Sequence, residues 1–443
     1  MRGRLFRNKE RKKLGPHPPL VEIGHLETKK KKSLAALRST SRAALLSPAT
    51  RMPTTRVEAF RFTDISPILE RPAGAVGSSG GSEGELSLLA AAVSDRALEG
   101  AAATLVVVDG VFRADLSRGA TSNKRVVLGG IEQIADGSPE VLKLLGRATG
   151  ERGGPFAKLN GGVASSAVVV AVAAEVSLPE PVHVLYISTN SVSSPSSSPS
   201  ISAPRLLVSL GAGAEVTVVE EFCGVASSSS SRDGGAAAST SSSSPSSPSS
   251  SSSSPSTSGH RLNVPVAELF LSSGATLNHS YVELEPRGTW HAKETLVDQA
   301  EGSTYSLTEA RTGGAAAISR ADVDVRQLGP STSTSMRSFI LAGEGQLVDL
   351  HTRLGMDHPE GAADQLHKAI AASATSRAVF DGGVRVGREA QRTDARQLSR
   401  NLLLARRATV NVKPNLQIVA DDVKCTHGCA VSDLEEEQMF YFK

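Results

Sequence analysis

The chain has 443 residues, 39% of them hydrophobic but only 4% aromatic, and 48 Lys+Arg against 45 Asp+Glu give a net charge of +3. Its basic residues gather at the N-terminus, so the body lacks the positive stripe of a nucleic-acid binder. Three cysteines (Cys223, Cys425, Cys429) are too few and scattered for a disulfide framework and point to a reducing compartment, and no apolar run approaches the ~20 residues that cross a bilayer.

Residues 1–50 form a basic leader, with Arg2, Arg4, Arg7, Lys9, Arg11 and the run Lys29 to Lys32 against three glutamates. Transit peptides share this basic, acid-poor character. Prolines at 16, 18 and 19 would break an early helix, and Ser33 to Arg38 with the following RAALL reads as a short one. An N-terminal α/β region is expected over 51–150: AVGSSGGSEGE (75–85) as linker, Leu86 to Ala103 as an alanine-rich helix, and Thr104 to Phe112 as β structure around a DG turn.

From Val163 onward strands dominate, and 151–428 reads as the core. Apolar strand, small-residue corner and second apolar strand recur in RLLVSLGAGAEVTVVEEF, ELFLSSGATLNHSYVEL, RSFILAGEGQLVDLHTRL and NLLLARRATVNVKPNLQI. Degenerate repeats of this kind suit a parallel β-helix, whose turns bury their apolar sides only by stacking. A β-sandwich is the rival on pattern alone. Two serine-rich stretches, 189–204 and 226–259, are too poor in apolar residues to join a core and read as disordered insertions. Met356 to Ala374 has Ala363, Leu366 and Ile370 at helical spacing and is expected to be a helix inside the β region.

The chemistry concentrates near the C-terminus. Leu416, Ile418 and Ala420 alternate with Gln417, Val419 and Asp421 as in a half-buried strand, which leads into Asp421, Asp422, Lys424, Cys425 and His427. An extended backbone aims Cys425 and His427 to one side. Thiolate and imidazole are metal ligands, so His427 is a candidate metal-binding residue, although the spacing is not that of a zinc finger. His351 and His358, with Asp349 and Asp357 close by, form a second candidate constellation. Neither a GxxxxGK[ST] loop nor a GxGxxG fingerprint before a helix is present, and there is no GxSxG elbow.

TDARQLSRNLLL (393–404) and VKPNLQIVADDVKCTHG (412–428) closely resemble the signature of the SufD family, the scaffold subunit of the SUF iron–sulfur cluster assembly machinery. PTTR (53–56), PFAKLN, VTVVEEF and DQLHKAI resemble further landmarks in the same order, so the likeness spans about residues 50 to 440. The resemblance implies a right-handed parallel β-helix between helical ends and a non-catalytic scaffold that pairs with SufB through its β-helix edge. It implies that His427, with Cys425, lies at the interface where a transient cluster forms, and that no cofactor is tightly bound by this chain alone. Asp421, Asp422, Lys424, His351 and His358 are possible supporting residues. Cys429 stands where the family has alanine. ATP hydrolysis belongs to the separate SufC subunit, whose docking the resemblance places in a C-terminal helical region; residues 429–443 read as the truncated start of it. Plastid stroma is the expected location, with cytoplasm as the alternative. The other readings are a SufB-like or homodimeric scaffold that accepts sulfur itself, or a carbohydrate-active β-helix enzyme, which would need catalytic carboxylates along one solenoid face.

Overall fold

The computed structural model describes residues 32–47, 50–69, 74–75, 83–134, 139–189, 200–225, 261–286, 288–312, 318–434 and 436–441. The leader before residue 32 and most of both serine-rich stretches lie outside the described residues.

Successive strands of the core alternate between two sheets, and each pairs in parallel with the strand two places on. Thus Thr289–Gln299 pairs with Ile318–Gln327, which pairs with Leu347–Met356, then Arg377–Val386, then Thr409–Ile418. The facing sheet runs from Glu215–Val225 through Thr276–Leu284, Thr304–Arg311, Ser333–Ala342, Ala362–Ala371 and Thr393–Leu403 to Val423–Asp433. This is a parallel β-solenoid of about six turns, with the β-sandwich excluded by its parallel pairing.

One corner of every turn is built alike. Glu175, Gly213, Gly274, Gly302, Ser331, Glu360 and Arg392 all have positive φ, between 56° and 67°. Each donates its N–H to a carbonyl in the corner of the following turn, as in Gly274 N to Glu301 O (2.9 Å) and Gly302 N to Pro330 O (2.9 Å). Glycine meets this left-handed demand without strain in three turns, whereas later turns place Ser, Glu and Arg there. Glu360 accepts from Ser331 Oγ at 3.0 Å and pairs with Arg392 at 2.5 Å, so side chains ladder the same corner.

The expected helix over Met356–Ala374 is not formed. Ala362–Ala371 is a strand hydrogen-bonded on both sides, with Ala363, Gln365, His367, Ala369 and Ala371 buried and Asp364, Leu366, Lys368 and Ile370 on the other face. Period-two burial between two neighbours overrides the helical propensity of its alanines, and the 363/366/370 spacing is coincidental.

Helices pack on the outer faces of both sheets: Glu83–Arg96 sets Leu89 and Val93 against Leu185, Ile187 and Cys223 of the facing sheet, and the others described next cover the first. Lys32–Leu46 lies against Pro155–Val163, and Leu34, Leu37, Phe156 and Leu159 share an apolar cluster with Leu207, Trp290 and Leu296 of the sheet. Two sheet carboxylates serve as caps for helices. Glu268 accepts from Gly146 N (2.8 Å) and Thr149 N (3.0 Å), and Glu294 from Gly154 N (2.9 Å) and Ala157 N (3.0 Å). Arg205 neutralises Glu268 at 2.8 Å, both side chains fully buried. Farther along, the segment around Glu58–Phe60 is strapped across the sheet: Arg320 lies 3.9 Å from the Phe60 ring and donates to Ala59 O at 2.7 Å, and Thr63 donates to Asp349.

Candidate functional site

Among the described residues Val423–Asp433 is the last strand of its sheet, paired only with Thr393–Leu403, and Thr409–Ile418 likewise ends the other sheet. Register sets what each side chain faces. Cys425, His427 and Cys429 lie opposite Ala395, Gln397 and Ser399, all buried inside the solenoid. These three residues therefore continue interior columns onto a turn that no further turn covers among the described residues. Position, not residue type, exposes them: His427 and Cys429 are exposed, and Cys425, packed partly against the core, is half-buried. Partial burial pushes the Cys425 thiol above its usual value, and burial acts on Cys429 in the same direction. Ile418, Val419, Val431 and Leu434 are exposed on this same turn.

The other sequence candidates are dispersed. Lys424 alternates with Cys425 and is exposed, opposite Asp394; Asp421 and Asp422 are exposed in the corner before the strand, where Asp422 O accepts from Arg392 N at 2.6 Å. His358 sits in a corner, whereas His351 is a buried outward residue of the Leu347–Met356 strand. His351 and His358 thus belong to different parts of the structure, and neither lies on the sheet that carries His427. Among the described residues no group of three His, Cys, Asp or Glu side chains is placed to hold a metal ion.

A second polar constellation escaped the sequence reading. Inside the solenoid His279 sits between Glu220 (Nε2 to Oε1, 2.9 Å) and the Tyr305 hydroxyl (3.0 Å from Nδ1), with Lys293 Nζ at 2.5 Å from the same Glu220 oxygen. Its counterpart is His291, between Glu285 (3.0 Å) and the Tyr281 hydroxyl (2.8 Å), which donates on to Glu283 at 3.1 Å. Arg311 and Ser319 complete the Glu283 environment, and Ser319 Oγ lies 2.7 Å from it. All these groups are buried. Burial alone would raise the Glu220 carboxyl, but Lys293 and His279 outweigh it and hold the group down at about 2. The available signal was charged residues falling on the inward phase of strands, as in the alternation of His279, Tyr281 and Glu283. Farther along, His367 stacks on Phe380 with ring centroids 4.3 Å apart, and burial pushes it down to about 3.

Fold and site together define a β-solenoid protein whose thiol and imidazole chemistry lies on a last turn that no further turn covers among the described residues. Comparison with known proteins makes this specific. The family model described as SUF system FeS cluster assembly, SufBD core domain, matches residues 247–443. The chain is 35% identical over 413 residues to the chloroplastic protein ABCI7 of Arabidopsis thaliana, covering 93% of this chain and 77% of that one. It is 30% identical over 403 residues to an iron–sulfur cluster assembly SufBD family protein of Synechocystis, covering 90% and 80%. To the iron–sulfur cluster assembly protein SufD of Escherichia coli it is 32% identical over 188 residues, 42% of each chain. This chain belongs to the SufBD family of the SUF iron–sulfur cluster assembly system.

Proposed function

We propose that the chain is a SufD-type scaffold subunit that pairs with a SufB subunit through its last solenoid turn and works with the SufC ATPase, without catalytic activity of its own. One observation carries the reading. Thr409–Ile418 and Val423–Asp433 each leave one strand edge unpaired among the described residues, and that turn also carries Cys425 and His427. Open parallel edges with exposed Ile418, Val419 and Val431 are built to be continued by another chain, because unpaired backbone donors and acceptors and apolar surface both favour association.

In such a pair His427 faces the partner, and a nascent iron–sulfur cluster is the cargo held between the two chains. This chain supplies an imidazole and a neighbouring thiol; the remaining ligands come from the partner, since no third ligand converges here among the described residues. Thiolates suit iron–sulfur chemistry, and Cys425 becomes a better ligand once a metal displaces the proton that its half-buried setting favours. Plastid location is part of the proposal, supported by the chloroplastic relative and the basic leader.

Co-purification of the full chain with SufB and SufC, followed by anaerobic iron and sulfide analysis, tests the proposal. A complex with SufB is expected. His427→Ala is expected to keep the fold and the complex and to lower cluster yield; an unchanged yield removes His427 from the site, and failure to bind SufB removes the pairing itself.

A further inference from the structure

A cavity of about 170 Å³ lies between the 58–62 strap and the outer face of the strands that end the first sheet. Phe62 in the strap and Val379 in the sheet give it an apolar wall; Glu58 and Arg61 in the strap and His351, Asp381, Asn411 and Lys413 in the sheet make the rest of its lining polar. His351 is 4% exposed, yet its Nδ1 is buried without a hydrogen-bond partner. The ring is held from behind: Nε2 lies 3.1 Å from the Arg320 guanidinium and 2.8 Å from Asp349 Oδ1. Across the cavity Asp381 Oδ2 is 3.7 Å from Nδ1 and 3.9 Å from Lys413 Nζ, beyond hydrogen-bond reach of either.

A buried imidazole nitrogen without a hydrogen-bond partner, facing a carboxylate whose ion-pair contacts to it and to Lys413 are too long for hydrogen bonds, leaves room for a group that accepts on one side and donates on the other. Hydroxyl does both: with Nδ1 protonated, its oxygen accepts from Nδ1–H and its O–H donates to Asp381. A single water would satisfy His351 and Asp381 but would leave most of the space unfilled, since a water's share of the liquid is about 30 Å³. An apolar cavity of about 150 Å³ accommodates benzene. A guest of one ring bearing one hydroxyl matches both ends, with Phe62 available to pack on the ring.

We propose that this cavity is a binding site for a small phenolic molecule, its hydroxyl between His351 and Asp381 and its ring against Phe62 and Val379. The site is on the outside of the solenoid, on the sheet opposite His427, and its Lys413 side belongs to Thr409–Ile418, the strand whose other edge the proposed SufB pairing uses.

The probes are phenol and toluene, equal in shape and differing in the hydroxyl, titrated against the purified full chain by ligand-observed NMR. Phenol is expected to bind in the millimolar range or tighter and about tenfold better than toluene, the difference one well-placed hydrogen bond to a charged group makes. Asp381→Ala should remove that preference while changing the melting temperature little, because the side-chain contacts of Asp381 to His351 and Lys413 are long, 3.7 and 3.9 Å; His351→Phe is avoided because His351 also supports Arg320. Equal affinity for the two probes, or a phenol preference that survives Asp381→Ala, overturns the assignment. So does a crystal soaked in phenol that shows only water at Nδ1. If Asp381→Ala fails to fold, the phenol-to-toluene ratio on the unaltered chain decides the matter alone.

Discussion

Lys293→Met removes the cation that keeps a carboxylate ionised inside the solenoid. Glu220 is buried, its carboxyl held at about 2 against an ordinary value of 4.5, with Lys293 2.5 Å away. That depression corresponds to about 3 kcal/mol of stability at neutral pH. It is in keeping with the roughly 3–5 kcal/mol lost when one partner of a buried pair is removed. In the unaltered chain Glu220's contribution is present above pH 4.5 and is lost as pH falls toward 2. In the variant His279 alone opposes the effect of burial, so the carboxyl moves up and ionising it contributes less to folding. The loss on substitution should therefore be larger at pH 7 than at pH 4. Urea unfolding followed by far-UV circular dichroism at both values measures it. Lys293→Met with Glu220→Gln should recover a large part, because a neutral amide has no charge to bury. A loss under about 1 kcal/mol at pH 7, or a double variant no better than the single one, would refute the claim that charge balance holds this interior together.

Other outcomes follow from named contacts. Burial, aided by Asp322, pushes Glu294 up to about 7, so its contribution is complete below pH 4.5 and fades as pH rises through 7; Glu294→Gln should flatten the stability–pH curve between pH 5 and 8 by about 3 kcal/mol. Gly302→Ala meets only atoms 3.9 Å or more from the new methyl group but must keep φ at +65°, so it should cost about 1–2 kcal/mol in urea unfolding. Iodoacetamide at pH 7.5 should label Cys429 first and Cys425 more slowly. Cys223, 1% exposed and pushed up to about 12 by burial, should react only in denaturant; mass spectrometry of timed digests reads the order.

How far the sequence led depends on what each signal encodes. Strand-corner-strand repeats revealed the solenoid because every turn must solve the same corner problem, and the glycines at 213, 274 and 302 mark it directly. Ser331, Glu360 and Arg392 occupy that corner in later turns without any compositional trace, so the boundaries of those turns were harder to place. Ala362–Ala371 was misread because alanine fills small interior columns and also favours helices; only its neighbours on both sides decide between the two. Cys425 and His427 were legible as a pair on one side of a strand, and the register adds that this side continues the solenoid interior. The interior ion network was illegible because its members lie up to about a hundred residues apart, from Glu220 to Ser319. His351 and His358 looked like a pair in sequence, but a strand end and a corner separate them.

The uncovered last turn has a consequence for when, as well as where, anything assembles on it. In a stack whose layers touch only adjacent layers, opening is easiest at an end, where a layer is held from one side instead of two. Among the described residues Thr409–Ile418 and Val423–Asp433 are held on one side alone, so this layer should exchange its amide hydrogens fastest among the strands of the stack and become protected once a second chain is laid against it. Residues Cys425 and His427 would then be ordered by the same event that brings them a neighbour, which couples completion of the site to arrival of the partner.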